Sequence, residues 1–206
     1  MSSADPSIAE PGRVLLGRHE VIRQLGAGGM GVVYLGRSLG AAGLSKPVVI
    51  KQMLQELGVN DEARAMFERE ARILARLRHP NIVNVVDFGI DSDGSYVLVM
   101  DQVPGSDLGK WAGFRYRSQQ GMPVDLAVHI AIEVLDALHY AHELRDGQGN
   151  MVSVIHRDIS PSNILLETTG RVYVVDFGIA RSETEHTKTS QAQFKGKFAY
   201  MAPELL

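Results

Sequence analysis

The chain has 206 residues, 45% of them hydrophobic and 22% charged, a balance that suits one or two packed cores and excludes disordered and fibrous classes. A formal net charge of −3 leaves no basic footprint for nucleic acid. The absence of cysteine removes disulfides, thiolate catalysis and zinc-thiolate sites together. No apolar run approaches the ~20 residues of a membrane span, and the opening "MSSADPSIAEPGR" lacks a signal-peptide core, so the expected compartment is the cytoplasm.

In chain order, residues 1–12 are polar, contain two prolines and read as a disordered leader. From Gly17 to Met53, short β-branched runs around glycine turns ("EVIRQLG", "GVVYLGRS", "KPVVIKQM") predict three antiparallel strands. Residues 61–78 place Met66, Glu70, Ile73, Leu74 and Leu77 along one helical face, which carries a single acid inward. His79-Pro80 ends that helix. "NIVNVVDFGI" and "SYVLVMDQV" form a second hairpin, completing an N-terminal unit at 13–103. After Pro104-Gly105-Ser106 the chain becomes helical: Leu126, Ile130, Val134, Leu138 and Ala141 stripe a helix over 124–144. "VSVIHRD", "ILLE" and "VYVVDFG" read as short strand-like pieces, and residues 179–199 as a long segment without periodicity.

Four patterns carry chemistry. "GAGGMGVV" sets Gly26, Gly28 and Gly31 where backbone amides can approach phosphate oxygens. A dinucleotide loop shares this spacing but needs a helix next, whereas a strand follows here. Lys51 closes an apolar run; it is either a snorkelling edge residue or, with the inward Glu70, half of a buried ion pair able to hold phosphates. Asp176 in "VVDFG" is either a turn residue or, with Asn163, a hard-oxygen pair suited to Mg²⁺. Asp158 can then take the proton of an attacking hydroxyl.

In this order the set "GAGGMGVV", "VVIK", Glu70, "HRDISPSN", "DFG" and "APE" resembles the catalytic domain of eukaryotic-type bacterial serine/threonine protein kinases over roughly residues 17–206. The resemblance implies an α+β, two-lobe fold: a five-stranded antiparallel sheet with one main helix, then a partial helical lobe over 104–206. It implies that ATP is held by Gly26, Gly28, Gly31, Val33, Val49, Lys51, Met100, Asp101, Val103, Asp107 and Leu165, with Glu70 pairing Lys51. Asn163 and Asp176 would bind Mg²⁺ or Mn²⁺, with Asp158 as base. Val85, Leu74, His156 and Phe177 match an apolar column. Arg157 matches a phosphate-pairing arginine, and Thr189, flanked by Thr187 and Ser190, an autophosphorylated threonine. Implied partners are proteins bearing Ser or Thr, with self-association for modification of Thr189.

The chain departs from the family pattern at Val49, where alanine is usual, and at Ser160 and Lys197, where Lys and Thr are usual. Lys197 is expected to bring back the cation that Ser160 lacks. The chain stops just after "APE", so it is expected to be part of a longer kinase and weakly active alone. The rival reading is a nucleotide-binding pseudokinase scaffold.

Overall fold

The computed structural model describes residues 9–28, 31–53, 61–152 and 154–177 together with Tyr200; the side chains of 61–64, 66, 69 and 70 are not described. The chain divides into two compact units, one of residues 1–75 and 84–102, the other of 76–83 and 103–206.

The first unit is built on a six-stranded antiparallel sheet in the order β1-β2-β3-β4-β6-β5. Its strands are β1 (Val14–Leu15), β2 (His19–Gly28), β3 (Gly31–Leu39), β4 (Ser45–Met53), β5 (Val85–Ile90) and β6 (Tyr96–Asp101). The five expected strands are present, and the two-residue β1 is added to them. Alternation in β4 fixes what each face does. Val48, Ile50 and Gln52 are buried on one side, against Val32, Tyr34, Val97 and Val99, while Val49 and Lys51 are half-buried on the other. Val33 pairs with Lys51, Val49 with Met100 and Lys51 with Leu98, so these residues share the second face.

Residues 9–12, read from the sequence as part of a disordered leader, are instead folded onto this unit. Ala9 is buried and its N–H donates to the Tyr34 hydroxyl at 2.9 Å, and Gly12 N–H donates to the Val21 carbonyl at 2.8 Å. The small apolar Ala9 fills a gap in the core, which outweighs the polarity around it. The following residues reach the β5–β6 hairpin. Arg13 bonds Asp91 and Asp93 at 2.9 and 2.6 Å, Leu16 N–H donates to Asp91 at 2.9 Å, and Arg18 and His19 meet Asp87.

Helix α1 (Asp61–Leu74) buries Phe67, Ala71 and Leu74; of the line expected from sequence, Leu74 is buried and Ile73 half-buried, while the side chains of Met66 and Glu70 lie outside the described residues. It stops at Leu74, short of 78, and Leu77 packs from the turn that follows.

The second unit holds a three-stranded sheet of β7 (Gly105–Asp107), β8 (Ile164–Glu167) and β9 (Val172–Val174), with helices α2 (Leu108–Arg117) and α3 (Val124–His142). Residues 76–83 are stitched into it: Val174 N–H donates to the Asn81 carbonyl at 2.7 Å, and Asn81 Nδ2 donates to the Val172 carbonyl at 2.9 Å and to Glu133. α3 buries Ile130, Val134, Ala137 and Ala141, while Val124, Val128, Ile132 and Leu135 stand 52–78% exposed on its other side. Val154–Asp158 is not a strand, despite its β-branched composition. Val154 N–H bonds the Ala141 carbonyl at 2.9 Å and Arg157 takes a φ of 60°, so no ladder can run through it. No helix among the described residues is long and apolar enough to cross a membrane.

Candidate functional site

The first unit gathers one set of the sequence-predicted residues. β2 reaches the glycine-rich turn through a register shift between Gln24 and Gly26, and Gly28 faces Gly31 across the hairpin. The glycines have different reasons to be there. A Cβ at Gly31 would lie 2.2 Å from the Gln52 carbonyl oxygen, so glycine is demanded by the neighbouring strand. A Cβ at Gly26 would meet nothing within 4 Å, which leaves clear space above the turn.

Gly26 pairs with Val33 and Val33 with Lys51, which aligns the three residues in one row across the sheet. Glu70 lies on α1, its side chain outside the described residues. Asp101 N–H is engaged by the Asn84 carbonyl at 3.0 Å and its carboxylate by Lys46 at 2.6 Å, so the group it can offer a base is its carbonyl.

The second unit gathers the rest. Asp107 and Leu165 are direct cross-strand partners. The Asp107 carboxylate also caps α2, accepting from Lys110 N–H at 2.8 Å and pairing with its ammonium at 2.9 Å. Val103 precedes β7 and is half-buried.

Asn163 is buried, and its Nδ2 donates both to the Asp158 carbonyl at 2.9 Å and to the Asp158 carboxylate at 3.1 Å. The amide is thereby oriented, with Oδ1 as its acceptor. Val175 is held at both ends, its N–H by the Asn163 carbonyl and its carbonyl by His156 Nε2, each at 3.0 Å. The next residue, Asp176, adopts a φ of 53° and is exposed, while Phe177 is fully buried with its ring 4.6 Å from that of His156. Left-handed backbone at Arg157 and Asp176 is strain of the kind that surrounding structure must enforce.

Burial pushes the His156 imidazole below its ordinary range, against the opposing effect of the Val175 carbonyl. The neutral ring donates from Nε2 to Val175 and accepts at Nδ1 from Asp158 N–H at 3.3 Å, which defines its tautomer. Ser160 is buried, and its hydroxyl lies 2.9 Å from that of Ser162. Lys197, Thr187, Thr189, Ser190 and the "APE" residues lie outside the described residues.

Asp176 offers a carboxylate and Asn163 an oriented amide oxygen, hard oxygen donors of the kind Mg²⁺ takes together with phosphate oxygens. The residues present therefore fit that group. Among the described residues no cluster of three His, Asp or Glu offers a metal site elsewhere. The role of Val175 was not legible as a motif letter, because it acts through backbone groups that every residue possesses, and the ring of His156 was read only as part of an apolar column, not as the donor that holds Val175.

Residues 19–206 match the protein kinase domain. Among curated relatives, the tyrosine-protein kinase MasK of Myxococcus xanthus is 39% identical over 91% of this chain and 29% of its own length. The serine/threonine-protein kinase PrkC of Bacillus subtilis is 32% identical over 94% of this chain and 27% of its own. The crystal structure of a cysteine-to-alanine mutant of the Mycobacterium tuberculosis PknI kinase domain aligns with a TM-score of 0.65 at 34% identity, covering 84% of this chain and 63% of that one. The chain belongs to the protein kinase family, in its eukaryotic-type bacterial branch, and has the two-lobe kinase fold. It spans between a quarter and a third of the length of the curated relatives named here.

Proposed function

We propose that this chain is the catalytic domain of a bacterial serine/threonine protein kinase that transfers the γ-phosphate of ATP to hydroxyls of proteins in the cytoplasm. The observation that carries the reading is the linkage of Asp158, Asn163 and Val175-Asp176 through the bonds just described. It supports the reading because the proposed base and the two proposed metal ligands belong to one hydrogen-bonded segment. When bound with ATP, Mg²⁺ or Mn²⁺ offsets charge on the phosphates. The Asp158 carboxylate takes the hydroxyl proton as the new O–P bond forms and the bond to the β-phosphate oxygen breaks, releasing ADP. Lys51, positioned by Glu70, and the amides around Gly26, Gly28 and Gly31 hold the phosphates. Val33, Val49, Met100, Leu165 and the backbones of Asp101 and Val103 take the base, and Asp107 the ribose.

Lys197 is proposed to supply the cation missing at Ser160, and Thr189 to be the site of self-modification when two copies associate. Ser160 is also what favours a second reading, a nucleotide-binding pseudokinase, since no cation stands at that position. The decisive measurement is phosphate transfer from labelled ATP by the complete protein, to Ser, Thr and Tyr peptides in parallel. The tyrosine peptide is included because one relative carries that specificity in its name. Transfer that disappears in Asp158→Asn and Asp176→Ala supports the reading. Nucleotide binding without transfer in the unaltered protein establishes the pseudokinase.

A further inference from the structure

Helix α1 carries Glu70, so whatever fixes the helix on the sheet decides where that carboxylate can reach. Phe67, 2% exposed, packs with Phe88 and Tyr96 at ring-centroid separations of 6.1 and 6.2 Å, and those two rings lie 6.2 Å apart. Apolar packing of this kind holds the helix against β5 and β6 but is weakly directional, so it leaves sliding along the helix axis poorly restrained. A directional contact lies at the same place. The Tyr96 hydroxyl donates to Glu68 Oε1 at 2.8 Å, and the other Glu68 oxygen accepts from Arg72, one turn further along, at 3.1 Å. Tyr96 is buried, and the Glu68 side chain is 32% exposed, so the bond is charge-assisted and largely shielded from water.

We propose that Tyr96 and Glu68 are positioning residues that set the axial register of α1 against the sheet and so the reach of Glu70 toward Lys51. The inference rests on the phosphotransfer reading above. Tyr96 begins β6, two residues before Leu98, the ladder partner of Lys51, and Glu68 precedes Glu70 by two. One short tether thus joins the strand beside Lys51 to the helix bearing Glu70. A slip of one residue moves a helix ~1.5 Å, whereas an O–H···O bond persists over a range of only ~0.5 Å, so the tether discriminates between adjacent registers.

The test compares Tyr96→Phe, Glu68→Gln, Glu68→Ala and the double change Tyr96→Phe with Glu68→Ala in the complete protein. Tyr96→Phe, which keeps the ring, is expected to lower kcat about tenfold and to speed amide exchange along α1, with peptide KM and unfolding midpoint little changed. Glu68→Gln keeps the acceptor and is expected to retain most of the activity. The double change should be no worse than Glu68→Ala alone, because that substitution already removes the Tyr96 bond together with the one from Arg72. Wild-type kcat in Tyr96→Phe, additive losses in the double change, or a fall in kcat matched by a fall in unfolding midpoint each overturn the proposal. If the unaltered protein transfers no phosphate, the phosphotransfer reading fails separately. The tether is then judged on exchange alone, and unchanged protection of α1 in Tyr96→Phe refutes it.

Discussion

Asn163 donates twice to Asp158, once to its carbonyl at 2.9 Å and once to its carboxylate at 3.1 Å. The same side chain thus shapes the loop and orients the proposed base. Replacing it with Asp sets two carboxylates against each other, which raises the pKa of one of them. Asn163→Asp in the complete protein is therefore expected to move the acidic limb of kcat/KM to higher pH and to lower the maximum about 10²-fold. A pH–rate profile of unchanged shape refutes the assigned contact.

Gly26 and Gly31 are expected to separate stability from nucleotide binding. Because a Cβ at Gly31 collides with backbone, Gly31→Ala should destabilise the first unit by about 1–3 kcal/mol. Gly26→Ala meets open space, so thermal unfolding should be unchanged while ATP binding, read by titration calorimetry, weakens. Equal unfolding midpoints for the two variants contradict the geometry.

His156 gives the stability a pH dependence of definite sign. Its imidazole is held below the ordinary value by burial, so the unfolded chain binds more protons than the folded one as acid is added. The stability contributed by the neutral ring is complete above the unfolded pKa of about 6.5 and declines as pH falls below it. Denaturant unfolding at pH 7.5 and 5.5 should show a loss on acidification that is larger in the wild type than in His156→Gln. An equal or smaller loss in the wild type contradicts the burial effect.

The N-terminal residues should matter to folding. Ala9, the Gly12 amide and the Arg13 contacts tie residues 9–13 to the core and to the β5–β6 hairpin. Removing residues 1–12 is expected to lower the unfolding midpoint by several degrees, whereas Arg13→Ala alone should cost about 1 kcal/mol, since its side chain is partly exposed. An unchanged midpoint after removal of 1–12 shows the segment to be dispensable.

The outer side of α3 should tolerate charge. Ile132 and Leu135 are 57% and 64% exposed, so Ile132→Lys with Leu135→Glu in the 206-residue chain should change stability by less than about 0.5 kcal/mol and reduce aggregation measured by light scattering. Unfolding caused by the pair shows that the ridge is already packed.

These results divide the features legible in the sequence from those that were not. β4 could be read because alternate residues face a closed core and a half-open surface, and the base and metal candidates because side-chain identity defines them. α1 was legible from its helical spacing, but the burial of Phe67 was not, since neighbouring Met66 and Phe67 are both apolar and spacing alone does not single out Phe67. β7 is three residues long and exists through pairing with β8, so no local pattern announces it. Val154–Asp158 has strand composition, but its backbone hydrogen bonds go elsewhere.

The order in which the chain crosses between its two units also constrains how it can fold during synthesis. Arg13 must wait for Asp91, 78 residues later, and Asn81 for Val172, 91 residues later. The second of these loops opens before the first has closed. Closing each carries an entropic penalty that local helices do not incur, so both units should acquire protection late. A released chain ending at Gln102 has every residue of the first unit yet leaves Asn81 without its partners, and should show a protected β-sheet beside an unprotected 76–83.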